Sequence, residues 1–395
     1  MSLKHLAAIV GILLCTAVAW FTLGSAVVFR SRSANAELSE EVVRNWGPAL
    51  AQEQPTLSYE SPTAGLPPRT ILPTSSKIDV DLSYEPKQKG LLWYRTYFVD
   101  FTAEYLIQNP TPIAQTIYAS VQLPNKDARY DAFAFKLGGK LTDKAPVNGV
   151  IRDSIRLEPG QETPLVISYK AAGTNQWSYS LHNASRVKNL QLAMKTNFAE
   201  IDFPAGAESP TSRKRDGAGW SLLWKYSDVI GANSISMSMP AVTNPGDIAG
   251  RMTFFAPVSL LFFFSVLVIV GMKFRANLHP MNYFFLAAGC FAFQLLFAYL
   301  VDLLPIGWCF VIAATVSLLL VNGYIWRAAG RRLGAVSLVA QFAYMVLFSY
   351  SFFFDGLTGI TITVGAIITL ALLMAFTARI NWSTIMVRPP KLPAH

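Results

Sequence analysis

The chain is short of charge and almost free of cysteine. Of its 395 residues, 14% are Asp, Glu, Lys or Arg and 52% are hydrophobic, whereas a soluble globular protein carries about 25% charged residues. The cysteines, Cys15, Cys290 and Cys309, all fall inside apolar runs. The polar middle of the chain therefore has neither a disulfide framework nor a cysteine-based metal site. His5, His182, His279 and His395 are scattered, without the spacing of a ligand set. No G-x-S-x-G, H-E-x-x-H, phosphate-loop or EF-hand pattern occurs. These absences remove the motif-bearing hydrolase, metalloenzyme and nucleotide-binding classes, and the expectation is a non-enzymatic protein with no cofactor. The net charge is +9, yet the densest basic cluster of the polar middle is only Arg213-Lys214-Arg215. It reads as a solvated loop rather than a nucleic-acid surface.

What is abundant is apolar length. Leu6 to Phe29 is uninterrupted and long enough to cross a hydrocarbon core of about 30 Å. A signal peptide cleaved after Ala34-Asn35-Ala36 competes with an uncleaved anchor. The run exceeds a usual signal core, and Arg30 and Arg32 directly behind it oppose translocation, so the anchor is preferred. Five further segments of about 20 residues follow late in the chain: 252–272, 281–301, 306–326, 334–354 and 357–378. Lys273, Arg275, Arg327, Arg331, Arg332, Arg379, Arg388 and Lys391 lie in alternate connections. The others carry Asp302 and Asp355 and no Lys or Arg. The positive-inside rule puts the basic loops in the cytoplasm, which makes six spans with both ends cytoplasmic and the large intervening domain outside. The spans hold only mild polar groups, among them Gln294, Asn322, Gln341, Tyr344 and Thr361. Interhelical hydrogen bonding accounts for these better than a solute path does.

The domain architecture expected is an anchor over 1–30, a proline-rich polar segment over 31–75, and an extracytoplasmic antiparallel β-sandwich over 76–243. A five-helix transmembrane domain over 251–380 and a cytoplasmic tail over 381–395 complete it. Ile78-Val80-Leu82-Tyr84 and Ile113 to Leu123 alternate with period two, and a hairpin is expected over Ile151 to Ala172 around Pro159-Gly160. Asp79 and Asp81 share one strand face, which reads as solvated. Trp177, Trp220 and Trp224 read as core.

The turn RANLHPMNYFFL, Arg275 to Leu286, is the candidate functional feature. Pro280 suits the first turn of a helix, His279 its cap, and Tyr283 the interfacial belt. Arg275, His279, Pro280, Asn282 and Tyr283 form the candidate contact with lipid headgroups or a cytoplasmic partner. HPMNYFFL opening a span, together with the stretch KGLLWYRTYFVDFTAEY from Lys89 to Tyr105, resembles the CreD inner-membrane protein family. The match is strongest over about Lys273 to Arg327. The resemblance implies a bacterial inner-membrane protein linked to cell-envelope integrity and stress response, in contact with membrane lipids and an envelope protein or cell-wall component. The alternative is a transport subunit for a neutral or lipid-like solute.

Overall fold

The structure is a computed structural model that describes residues 3–61, 67–90, 92–181, 186–231, 233–274, 278–354, 356 and 358–378. Arg275, His182, Asp355, Arg379, Arg388 and Lys391 lie outside them. The chain divides into two compact units, Ala36–Val242 and the remainder.

Helix α1 runs Leu3–Trp46, past the apolar run and on through Glu37 to Trp46, which the sequence allows as a short separate helix and which here continues the first one. The physical reason is local: between Gly24 and Gly47 there is neither glycine nor proline to stop it. It ends where the next breakers come. Gly47 adopts a left-handed φ of 91° and its N–H returns to the Val43 carbonyl at 2.9 Å, with Pro48 following. Helix-terminating glycine and a proline just beyond it are the expected combination. In the β-rich unit, Val42 is buried and Glu41 pairs with Lys89 at 2.9 Å.

The rest of that unit is built from β-strands. In chain order they are β1 Leu50–Glu53, β2 Thr56–Tyr59, β3 Arg69–Ile71, β4 Ser75–Tyr84, β5 Lys87–Lys89, β6 Leu92–Tyr94, β7 Thr96–Gln108, β8 Gln115–Gln122 and β9 Tyr130–Leu137. There follow β10 Lys140–Leu141, β11 Val150–Leu157, β12 Glu162–Thr174, β13 Gln176–Ser180, β14 Arg186–Thr196, β15 Ser212–Asp216, β16 Gly219–Ile230 and β17 Ile235–Ser238. The proline-rich stretch thus supplies three strands instead of an extended linker. Pro48, Pro55, Pro67, Pro68 and Pro73 flank those strands and none interrupts one, as a residue without an N–H requires.

An eight-stranded sheet has the order β10-β9-β12-β7-β4-β14-β16-β15, and a four-stranded sheet the order β11-β8-β2-β3. A smaller sheet, β1-β13-β17, and the β5-β6 ribbon accompany them. Inward residues from the three larger sheets share one core: Ile78, Val80 and Leu82 of β4, Phe101 and Tyr105 of β7, Ile117 and Val121 of β8, and Trp177 and Tyr179 of β13. Trp224 is buried in that core and Trp220 is packed against it, as expected. Asp79 and Asp81 are on the exposed side of β4.

Three expectations need correction. The pairing is not purely antiparallel: β4 runs parallel to β14, with Ile78 opposite Leu192, and β1 runs parallel to β13. The turn at Pro159-Gly160 does not close a hairpin. β11 pairs with β8, whereas β12 pairs with β7 and β9, so the turn carries the chain from one sheet to another. Asn109, on the β7–β8 connection, ties the two crossings together. Its buried amide donates to the carbonyls of Ile113, Leu157 and Glu158 at 2.9, 3.0 and 3.2 Å, and its backbone carbonyl accepts from Gly160 at 3.1 Å. Arg213-Lys214-Arg215 is not a loop either. It forms the exposed edge strand β15, and a charged edge discourages pairing with another chain.

The other unit is helical. α2 Pro245–Lys273, α3 Pro280–Leu300 and α4 Ile306–Gln341 are followed by a π-helical stretch, Phe342–Leu347. A short turn α5 Phe348–Tyr350, a 3-10 turn Ser351–Phe353 and α6 Thr358–Thr377 complete it. With α1, four helical stretches among the described residues are long and apolar enough to cross a membrane. The chain is a membrane-embedded protein by this measure.

α4 is two helices joined at Gly330, whose φ of 80° and ψ of 173° are not helical. The side chains prove the reversal. Gln341 Nε2 lies 3.0 Å from Ser317 Oγ, a separation a straight helix would stretch to roughly 36 Å at 1.5 Å per residue. Gly334 makes the tight turn-back feasible, since a Cβ there would fall 1.5 Å from the Trp326 ring.

α1 is antiparallel to α2 and parallel to α3. A Cβ on Gly250 would meet Val28, and one on Gly246 would meet Ser31, so these two glycines four residues apart let α1 approach closely. Trp20 packs beside Phe291 at 6.0 Å. At one end of α3 the rings of His5 and His279 are 5.9 Å apart. At the other, Arg30 pairs with Asp302 at 2.8 Å, donates to the Ala298 carbonyl at 2.7 Å and lies over the Tyr299 ring.

Candidate functional site

The turn before α3 is a well-made helix start. His279 is the N-cap, and its Nδ1 accepts from the Met281 N–H at 3.3 Å. Its carbonyl accepts from the Asn282 N–H at 2.8 Å, and Pro280 occupies the first helical position, where its missing N–H costs nothing. Tyr283 departs from the interfacial expectation. It is buried, with its ring edge-on to Phe264 of α2 at 5.3 Å. The arrangement brings His279 to His5 and leaves Tyr283 in the helix packing, so His279, Pro280, Asn282 and Tyr283 do not converge on one surface. No group of three or more metal-ligating side chains occurs among the described residues.

Inside the cluster the polar side chains mostly satisfy one another. Asn322 Nδ2 donates to Gln341 Oε1 at 2.8 Å and to the Leu318 carbonyl at 2.9 Å. Gln341 Nε2 donates to Ser317 Oγ, and that hydroxyl donates to the Gly289 carbonyl of α3 at 2.8 Å. The chain of bonds joins α3 to both halves of α4. Gln294 does not join it: it is fully buried and its amide has no partner among the described residues. Replacing Gln341 by leucine takes away the acceptor of one Asn322 Nδ2 hydrogen bond and the donor to Ser317. The expected loss is about 1–2 kcal/mol in thermal unfolding of the detergent-solubilised protein, with Asn322→Leu combined with Gln341→Leu costing less than the two single changes added. Strict additivity would show that the pair does not act together.

A concave feature of the helical unit is an apolar groove of about 810 Å3. One wall is α2 at Phe262, Val266 and Val270. The second is the outgoing half of α4, continuing into the π-helix at Ala343 and Tyr344. The third is α6 at Val364 and Gly365. Among the described residues Tyr344 and Thr361 supply the hydroxyls of its lining, and the Tyr344 hydroxyl lies 2.8 Å from that of Thr369. A π-helical insertion is rare and is found disproportionately at functional positions. Sequence reasoning missed this groove because its walls come from three stretches far apart in the chain. The local signal was Thr361, Gly365, Ile368 and Leu372, which recur on one face of α6.

Comparison with known proteins adds little. No protein-family model matches the chain, and no curated protein matches it. One solved structure with partial likeness is a crystal structure described as a "putative nutrient binding protein" from Legionella pneumophila. It is 10% identical, covering 64% of this chain and 85% of that one, with a TM-score of 0.34. A likeness of that size carries no argument about fold or function.

Proposed function

We propose that the chain is a non-enzymatic inner-membrane protein of the CreD type that contributes to cell-envelope integrity. In this reading it has six spans and cytoplasmic ends. The β-rich unit is an extracytoplasmic sandwich that binds an envelope protein or cell-wall component. The observation that carries the choice of anchor over conduit is the Asn322–Gln341–Ser317 chain, in which interior polar groups are spent on holding helices together. The sidedness draws support from α1 and α3 running parallel. His5 then lies on the same side as the basic turn at Lys273, and Arg30 on the same side as Asp302.

The test labels a cysteine at Glu158, exposed in the turn between β11 and β12, with Cys15 replaced by alanine. An impermeant thiol reagent applied to cells with a permeabilised outer membrane is expected to react. Reaction only after the inner membrane is broken would overturn the orientation. A photo-crosslinker at Val147, 70% exposed, is then expected to capture an envelope component. A solute path draws on the unpartnered Gln294 amide, and on Asn322 Oδ1 and Ser337 Oγ, which are also buried without a partner among the described residues. Flux of a neutral solute into liposomes, abolished by Gln294→Leu, would displace the anchor reading.

A further inference from the structure

We infer that the groove between α2, the outgoing half of α4 and α6 is a binding site for one anionic glycerophospholipid, with an acyl chain in the groove and the phosphate at its basic rim. Three observations carry this. Two of its walls, α2 and the stretch that holds α4, are long and apolar enough to cross a bilayer, and the third, α6, is a shorter apolar helix, so its medium is lipid hydrocarbon. From Ala335 to Phe348 its wall extends roughly 20 Å at 1.5 Å per residue. That exceeds the ~15 Å half-thickness of a hydrocarbon core, so the groove can take an acyl chain along its length.

The second observation is basic charge at one end. Arg331 and Arg332 stand one helical turn before the lining residues Ala335 and Val336, and Lys273 one turn after Ile269 and Val270. Residues three and four apart share a helix face, so these cations head the groove's own walls. All three are exposed. Among the described residues neither Arg331 nor Arg332 makes an ion pair. At the opposite end the lining is Leu347, Phe348 and Ile360. An apolar slot with a cationic rim matches a lipid with an anionic head, and basic pockets between spans recognise such headgroups. A zwitterionic head gains less there.

The third observation is the wall itself. α4 passes into a π-helix at Phe342–Leu347, where Ala343 and Tyr344 line the slot. Across from it, a Cβ on Gly365 would meet nothing within 4 Å. The space is kept open by a helical irregularity on one side and a glycine on the other.

The experiment is native mass spectrometry of the full-length protein released from membranes holding phosphatidylglycerol and phosphatidylcholine in equal amounts. The native protein is expected to retain one phosphatidylglycerol at least tenfold over phosphatidylcholine. Arg331→Gln with Arg332→Gln is expected to erase that preference while a lipid is still retained. Gly365→Phe fills the slot and is expected to abolish retention. Equal retention of the two lipids by the native protein would overturn the site, as would an undiminished preference in the double glutamine variant. Both arginines are exposed, so that variant stays informative even if the phenylalanine variant fails to fold. The site rests on the proposed orientation only for which leaflet supplies the lipid. A failed labelling result at Glu158 would change the leaflet and leave the lipid preference standing.

Discussion

Alanine in place of Gly219 is expected to unfold the β-rich unit or to destabilise it by about 4 kcal/mol or more, beyond the ~1–3 kcal/mol usual for overpacking. A Cβ at Gly219 would sit 1.7 Å from the carbonyl oxygen of Thr196 and 2.5 Å from its carbon. Those are backbone atoms, so no rotamer change relieves the clash. Thr196 ends β14 and cannot retreat freely. It is in register with Leu82 of the parallel strand β4, and its hydroxyl accepts from the Trp220 N–H at 3.0 Å and donates to the Phe198 carbonyl at 3.1 Å. Moving β14 would therefore disturb β4 and β16 together. Protease resistance and near-ultraviolet circular dichroism of the full-length protein in detergent report the effect. Ser221→Ala, two residues along β16 and opposite Lys195 of β14, serves as a control expected to stay within about 0.5 kcal/mol. A Gly219→Ala protein as resistant as the control would mean that β14 and β16 do not pack as described.

The second large effect is alkaline. Tyr97, Tyr105, Tyr169 and Tyr179 are fully buried within one core. Phe101 stacks on Tyr169 at 4.9 Å, and the hydroxyls of Tyr105 and Tyr179 lie 3.0 Å apart. Burial pushes each phenol above its ordinary value, most of all by denying the phenolate water. Tyr130, at the margin of that core, is pushed up to about 12 by burial, against a hydrogen bond to Asn125 that lowers it. The sign follows from linkage. In the unfolded chain these phenols lose protons near pH 10, while the folded chain still holds them. Stability is therefore complete below about pH 10 and falls as the pH rises toward the folded values. Each buried tyrosine contributes a slope of up to about 1.4 kcal/mol per pH unit, and four together about 5 kcal/mol per unit. Since domains are stable by only about 5–15 kcal/mol, the core is expected to fail cooperatively between roughly pH 11 and 13. Tyrosinate absorbance should then rise in one step that coincides with the change in tryptophan fluorescence. Smooth ionisation of all tyrosines near pH 10 with the fluorescence unchanged would contradict the burial.

What could be read from residues alone was what depends on neighbours in the chain. Ile78, Val80 and Leu82 announce an inward strand face because a strand repeats every two residues. The apolar runs from Met252 onward announce helices because their length matches a bilayer. Arg327, Arg331 and Arg332 interrupt the apolar run between 306–326 and 334–354, which marks a break there, and Gly330 is where the helix turns back. The losses have a common origin. Pro159-Gly160 signals a turn, but a turn does not say whether the strands it joins will pair with each other. Here each found a partner in a different sheet. Residues 31–46 are polar and follow a sharp drop in hydropathy, so Glu37 to Trp46 reads as a short helix of its own, and its continuity with the apolar run depends only on the lack of a breaker. Tyr283 looked interfacial by its place near a helix start, yet Phe264, nearly twenty residues back, covers it. The groove was the least legible feature, since no local stretch encodes a space between three helices.

The parallel register of β4 with β14 also has a consequence in time. Ser75–Tyr84 and Arg186–Thr196 must find each other across more than a hundred residues, and β1 must wait for β13 across a similar span. Contacts so distant in sequence are slow to form because the loop between them is closed before it is rewarded. The last strand of the third sheet, β17, ends at Ser238, and the apolar helix α2 begins at Pro245. During synthesis the core cannot be completed until the ribosome has already begun on that helix. The early strands, with Leu57, Ile78 and Phe101 still uncovered, are for that interval a client for chaperones, and the charged edge at β15 is made only near its end.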